Sequence, residues 1–196
     1  MRIIAITGSI GCGKTTIAGL IRRLGFVVYD IDKWCRQLYY DDRFLSVIYQ
    51  NFPESWQNGV FNKRKLRTLV FDDNVKLKKL ETLTHPFLKQ KFLSVIRKAA
   101  SCGEDVIFVD VALLFEMGWE KYCTDIIVAN APYDVQKQRV MLRDNISEAE
   151  FEKINAVQMS NNDRIFLSDY VVDTDKSIGI LKAELAMLIE EIGVKC

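Results

Sequence analysis

The eight residues Gly8-Ser9-Ile10-Gly11-Cys12-Gly13-Lys14-Thr15 constrain the fold of this chain more than anything that follows them. They satisfy G-x-x-x-x-G-K-[ST], a pattern whose mechanism needs a strand before it and a helix after it. Both are present. Ile3–Thr7 is an apolar run of strand length, and the stretch Thr15–Leu24 carries Ile17, Leu20, Ile21 and Leu24 on one helical stripe, with Gly25 where a helix C-cap belongs. Glycines at 8, 11 and 13 let the backbone wrap closely and aim its N–H groups inward, and the helix opening near Lys14 adds its positive end. A nucleoside triphosphate with Mg²⁺ is the expected occupant. Gly8, Gly11, Cys12, Gly13, Lys14, Thr15 and Thr16 form the cradle, with Lys14 reaching the β- and γ-phosphates and the Thr15 hydroxyl ligating the metal.

Further strand-length apolar runs, Phe26–Tyr29, Val106–Val109, Ile126–Ala129 and Tyr170–Val172, alternate with stretches of helical period. Strands that are apolar throughout, not alternating, imply burial on both faces, the habit of a parallel sheet covered by helices. The expected fold is α/β: a three-layer P-loop NTPase fold with a parallel five-stranded sheet, a helical insertion and a helical lid. We read residues 1–196 as a single P-loop kinase domain. Its core spans about 1–40, 103–144 and 165–196, its helical acceptor-binding insertion about 41–102, and its lid about 145–164. A loop is expected at Pro53–Gly59 and a helix start at Pro86, where proline suits the first turn. Ile178–Ile192 reads as an amphipathic helix.

Length and hydrophobic content, 196 residues and 49%, suit one substantial core. Lys plus Arg number 27 against 26 Asp plus Glu, so the overall balance attracts neither nucleic acid nor an anionic membrane. Cys12, Cys35, Cys102, Cys123 and Cys196 are odd in number and widely spaced, and no apolar run approaches membrane-spanning length. A reducing, cytoplasmic setting is expected, with the chain a monomer or weak homo-oligomer. Cys12 has two readings: a thiol activated by the helix N-terminus, or a small side chain without redox role.

The loop alone is shared by kinases, switches and motors. No Asp-x-x-Gly and no Asn-Lys-x-Asp occurs, which argues against a regulatory GTPase, and Val106–Asp110 ends in Asp followed by Val-Ala-Leu-Leu where a motor would carry Asp-Glu. A kinase for small alcohols needs a carboxylate near the γ-phosphate and basic groups around the transferring phosphoryl. Asp30-Ile31-Asp32, just past the second strand, supplies two carboxylates, one of which can cap the helix that follows. Arg139 and Arg143 are either solvated helix charges at i, i+4 or phosphate ligands.

Taken in order, the chain resembles the dephospho-coenzyme A kinases, which phosphorylate the ribose 3′-hydroxyl of dephospho-coenzyme A. Thr7–Thr16 is similar to that family's T-G-G-I-G-S-G-K-S-T, and Asp30-Ile31-Asp32 with Arg36 to D-A-D-x-x-x-R. His85-Pro86 matches an HP pair, Leu113-Leu114-Phe115-Glu116 the end of P-L-L-F-E, and Arg139-x-x-x-Arg143-Asp144 R-x-x-x-R-D. Gln158 and Arg164 match Q-x-x-x-x-x-R, and Ser168-Asp169 an A-D pair. The resemblance implies ATP and Mg²⁺ as cofactors and dephospho-coenzyme A as the small-molecule partner. Asp32 would be the catalytic carboxylate, helped by Lys14, Arg139 and Arg143, and Asp32, Arg36, His85 and Glu116 would bind the acceptor. His85 can instead serve its helix, and Glu116 can cap. Phe61, Phe71, Phe87 and Trp34 are candidates for an apolar wall along the pantetheine arm, though most aromatics are core. Ser9, Cys12 and Thr15 replace the family's Gly, Ser and Ser, Ala112 stands for its Pro, and Val172–Lys176 departs from its usual Asn- and Gly-bearing pattern. The rival readings are a kinase for another nucleotide or metabolite and a non-catalytic nucleotide-binding module.

Overall fold

The computed structural model describes residues 1–71 and 73–193, without the side chain of Phe71. That side chain and Cys196 therefore lie outside the described residues. The chain forms two compact units, Met1–Asp30 with residues from Cys102 onward, and Ile31–Ser101. The division at Ile31 falls ahead of the boundary read at about 40.

The first unit holds strands β1 (Arg2–Thr7) and β2 (Val28–Asp30), with helix α1 (Lys14–Arg23) between them. The second holds α2 (Ile31–Leu38), α3 (Asp42–Asn51), the short strands β3 (Trp56–Gln57) and β4 (Val60–Phe61), α4 (Lys63–Phe71) and α5 (Asn74–Ser101). The chain then returns to the first unit with β5 (Val106–Asp110), β6 (Asp125–Asn130), α6 (Tyr133–Asp144), α7 (Glu148–Ala156), α8 (Asn161–Phe166), β7 (Tyr170–Asp173) and α9 (Ile178–Glu191).

Five strands pair in parallel in the order β2-β5-β1-β6-β7, with helices on both sides, as the apolar runs led us to expect. Ile4 and Ile6 on β1, Phe108 on β5 and Ile127 on β6 are fully buried and join Ile17 and Ile21 of α1 with Leu181, Leu185 and Ile189 of α9 in one core. The helical stripe read from the sequence is thus the face that α1 lays on the sheet. Its end is set by Gly25 at φ 96°, where the Gly25 amide donates to the Arg22 carbonyl and the Phe26 amide to that of Ile21. This is a Schellman termination, which needs a left-handed residue and so favours glycine.

The second unit packs Phe44 and Ile48 of α3, Leu66 of α4 and Leu88 and Phe92 of α5 out of contact with water. Two readings are corrected here. Pro86 does not start a helix but lies inside the single 28-residue α5. Proline removes one backbone donor from the interior, yet the buried residues Thr84, Leu88, Phe92 and Ala99 straddle it, and their packing outweighs the lost bond. Pro53–Gly59 is not merely a loop: Asn58 (φ 51°) and Gly59 (φ 77°) form the tight turn of a hairpin joining β3 and β4, the Asn-Gly signal for which was already in the sequence.

Candidate active site

β1 stops at Thr7, and the loop from Gly8 to Gly13 delivers the chain into α1 at Lys14. A Cβ on Gly11 would stand 2.5 Å from the Gln136 carbonyl of α6, and one on Gly13 2.7 Å from the Thr174 hydroxyl. Both also have positive φ, 79° and 87°. Glycine is required because the outside of the loop is pressed against protein, which leaves its concave side for an anion. No side chain caps the start of α1, and its first turn holds no acidic side chain, so the helix presents its positive end to the loop. Thr15 and Thr16 are exposed on that turn.

Lys14 Nζ lies 2.6 Å from Asp110 Oδ1, both side chains largely buried. Asp110 ends β5 in register with Ile6 of β1 on one side and Asp30 of β2 on the other. The carboxyl end of the sheet, where open α/β sheets bind their ligands, therefore gathers the phosphate loop, Asp30 and Asp110. Asp110 was missed as a site residue; its signal was the apolar strand that ends in Asp.

The back of the loop is tied down by side chains from distant segments. The Thr174 hydroxyl donates to the Cys12 carbonyl at 2.6 Å and itself accepts from Arg139 Nη1 at 3.0 Å, while Arg139 Nη2 donates to the Thr174 carbonyl at 3.0 Å. The Ile10 amide donates to Gln158 Oε1 at 3.0 Å, and the Ser9 hydroxyl to Asn161 Oδ1 at 3.0 Å. Arg164 is fully buried. It donates to the Thr7 hydroxyl at 3.3 Å, the Ala112 carbonyl at 3.1 Å, the Met159 carbonyl at 3.4 Å and Glu116 Oε1 at 2.5 Å.

The expected site residues thus fall into groups. Gly8–Thr16 with Lys14 form the cradle, and Arg139 supports it from behind. Arg143, 61% exposed, is ion-paired with its neighbour Asp144 at 2.7 Å. Glu116 meets Arg164 and the Met159 amide. Cys12 is buried in the core behind the loop, and burial pushes its thiol up despite the Lys14 amide and charge. Both observations favour the packed side chain over an activated thiol. In the second unit, Asp32 and Arg36 are exposed on the first and last turns of α2, and half-buried His85 sits within α5, so it does not cap a helix start. Trp34 is buried with Lys91 over its ring at 5.2 Å, and Phe87 packs edge-on against Phe44 at 5.3 Å.

This arrangement coincides with extensive sequence similarity. The profile of the dephospho-CoA kinase family matches residues 2–179. The chain belongs to the dephospho-CoA kinase family. A dephospho-CoA kinase of Bartonella henselae is 35% identical over 192 residues, covering 98% of each chain. Among solved structures, TT1252 from Thermus thermophilus aligns with a TM-score of 0.84 at 29% identity over 97% of each chain. A dephospho-CoA kinase from Campylobacter jejuni aligns with a TM-score of 0.72 at 25% identity over 98% of each chain. The chain is accordingly a kinase, with ATP and a small molecule as its substrates. No described helix is long and apolar enough to cross a membrane.

Proposed function

We propose that this chain transfers the γ-phosphoryl group of ATP to the ribose 3′-hydroxyl of dephospho-coenzyme A, giving coenzyme A and ADP, as a cytoplasmic enzyme acting as a monomer or weak homo-oligomer. The observation that carries this reading is a phosphate loop with Lys14 on Asp110 at the carboxyl end of a parallel sheet, in a chain that follows one kinase family almost end to end.

Lys14 exchanges Asp110 for the β- and γ-phosphates and stabilises charge on the group in flight. The exposed Asp32 carboxylate accepts the proton from the 3′-hydroxyl as that oxygen attacks the γ-phosphorus and the ADP oxygen leaves. Arg139 binds Thr174 behind the loop, so its part in the reaction is to hold the cradle, while Arg143 is the arginine we assign to the phosphates. Arg36 and His85 are assigned to binding the acceptor, and Glu116 acts through Arg164. Among the described residues no cluster of three or more His, Cys, Asp or Glu could bind a metal alone. A Thr15 hydroxyl and the Asp110 carboxylate are the hard oxygen donors that suit Mg²⁺, which takes one or two protein oxygens and completes its shell with phosphate and water. Bound there, Mg²⁺ would neutralise charge on the phosphates.

The test is coupled ADP release with Mg²⁺-ATP and dephospho-coenzyme A, adenosine, AMP, CMP, pantothenate or no acceptor. Stimulation by dephospho-coenzyme A alone is expected. Stimulation by a different acceptor replaces the substrate, and tight ATP binding without stimulation by any of them removes the kinase reading.

A further inference from the structure

The carbonyls of the phosphate loop decide where its amides point, because in a planar trans peptide the C=O and the N–H face opposite ways, and the described residues contain no cis bond. Two amides of the loop are turned to protein acceptors: that of Ile10 donates to Gln158 Oε1 at 3.0 Å and that of Cys12 to the Ser9 carbonyl at 3.3 Å. The Gly13 amide is placed differently. It shares its peptide with the Cys12 carbonyl, which meets the Thr174 hydroxyl at 2.6 Å, so the Gly13 N–H points away from Thr174. Thr174 lies behind the loop, since its Oγ1, Cβ and Cγ2 are the atoms nearest to where a Gly13 Cβ would stand, at 2.7, 2.9 and 3.1 Å. Away from Thr174 is therefore the concave side of the loop.

Thr174 can fix that peptide because its own position is settled. It is 5% exposed. Its amide donates to the Asn130 carbonyl at 2.8 Å, one residue past the Asn130–Asp173 pair at the end of the β6–β7 register. A threonine hydroxyl has one hydrogen to give. Arg139 Nη1 donates to the Thr174 hydroxyl oxygen at 3.0 Å, which commits that hydrogen to a carbonyl, and the Cys12 carbonyl at 2.6 Å is nearer than that of Asn130 at 3.1 Å. The guanidinium is itself held by the Thr174 carbonyl, and its charge strengthens the hydroxyl as a donor. Thr174 lies in the stretch Val172–Lys176, where this chain departs from its family's pattern.

We propose that Thr174 is a positioning residue for the nucleotide: its hydroxyl, directed by Arg139, holds the Cys12–Gly13 peptide so that the Gly13 amide faces the phosphates before nucleotide arrives. This role rests on the function given above for the nucleotide alone and not for the acceptor. Backbone amides of such a loop meet the α- and β-phosphates, which ATP and ADP share, so Thr174 governs the affinity for both alike. Lys14, which reaches the γ-phosphate as well, tells them apart.

Thr174→Val keeps the shape of the side chain and removes the hydroxyl, whereas Thr174→Ser keeps the hydroxyl. In calorimetric titration with Mg²⁺-ATP and Mg²⁺-ADP, without acceptor, Thr174→Val is expected to bind both nucleotides about tenfold more weakly, because the aimed peptide is populated less often. Thr174→Ser should stay within about threefold of wild type. KM for ATP should rise in Thr174→Val by the same factor as the dissociation constant, with kcat and KM for the acceptor near wild type. Wild-type affinities in Thr174→Val overturn the proposal, as does an equal weakening in Thr174→Ser, which would make packing against Gly13 the cause. The Gly13 amide resonance gives a second reading that needs no variant: in the wild type Mg²⁺-ADP should move it downfield, and a resonance that stays in place overturns the proposal. An acceptor other than dephospho-coenzyme A would refute the substrate given above and leave each of these results unchanged.

Discussion

Replacing Glu116 with alanine removes the carboxylate that accepts from Arg164 at 2.5 Å and from the Met159 amide at 3.1 Å. The two members of this ion pair differ in exposure, 0% for the Arg164 side chain and 25% for that of Glu116. A carboxylate left alone there can take up water. A guanidinium left alone cannot, and its remaining acceptors, the carbonyls of Ala112 and Met159 and the Thr7 hydroxyl, are all neutral. Stranding one charge of a buried pair costs about 3–5 kcal/mol. Because Glu116 is partly hydrated in the native state, the lower end applies, and the expected loss is about 3 kcal/mol. That is about a hundredfold in the unfolding equilibrium, or a fall in Tm of about 6–12 °C for a chain of this size. Urea denaturation should show a lower midpoint with unchanged slope. Glu116→Gln, which keeps an acceptor for both donors, should cost about 1 kcal/mol. Arg164→Met added to Glu116→Ala removes the stranded charge and should recover at least half of the loss. If Glu116→Ala stays within about 1 kcal/mol of wild type, or if the double variant is no more stable than Glu116→Ala, the account of this pair is wrong.

Lys14→Ala should lower kcat by about a hundredfold or more and raise KM for ATP, read by the ADP-release assay; unchanged kinetics would detach Lys14 from the phosphates. Asp32→Asn should lower kcat by about 10²–10⁴ with ATP affinity kept, measured by single-turnover kinetics and ATP titration, and normal turnover would remove Asp32 from the mechanism. Stability should fall in alkaline solution. Burial raises the Cys123 thiol from 9.0 to about 12 and the Tyr39 phenol from 10.0 to about 12, so between these values the unfolded chain has lost protons that the folded chain keeps, and the folded state loses ground as pH rises. Circular-dichroism melts should give a level Tm below about pH 9 and a decline above it; a level Tm to about pH 11 would contradict the burial of both groups.

The sheet was legible because a strand buried on both faces must be apolar throughout, and the runs beginning at Ile3, Val106, Ile126 and Tyr170 are nearly so. The second unit was less so. Proline at 86 reads locally as a helix start, and only the packing of residues on both sides of it makes α5 continuous. The phosphate loop was legible because its chemistry is set by neighbours in sequence. Its supports were not. Thr7 and Arg164 are 157 residues apart, Cys12 and Thr174 162, and no local pattern states which side chain a folded chain will bring behind a loop. Asp110 stands between these cases, since its strand was read but its pairing with Lys14 required the β1–β5 register.

That difference bears on the stretch 145–164, read from its polarity as a lid. Three of its side chains belong to the phosphate loop's support: Gln158 holds the Ile10 amide, Asn161 the Ser9 hydroxyl, and Arg164 the end of β1. Moving this part would strand a buried charge at a cost of about 3–5 kcal/mol and release the cradle. The preceding helix α7 is held differently, by a Ser147–Glu150 capping box of its own, by the Tyr133–Glu152 hydrogen bond, by an exposed Lys137–Glu148 ion pair at 2.8 Å, and by Phe151 edge-on to Tyr133. An exposed pair contributes about 0–1 kcal/mol, so the chief resistance to moving α7 is the burial of one phenylalanine. We therefore propose that any closure over bound nucleotide is confined to residues 145–157, while Gln158, Asn161 and Arg164 keep their hold on the loop and the end of β1.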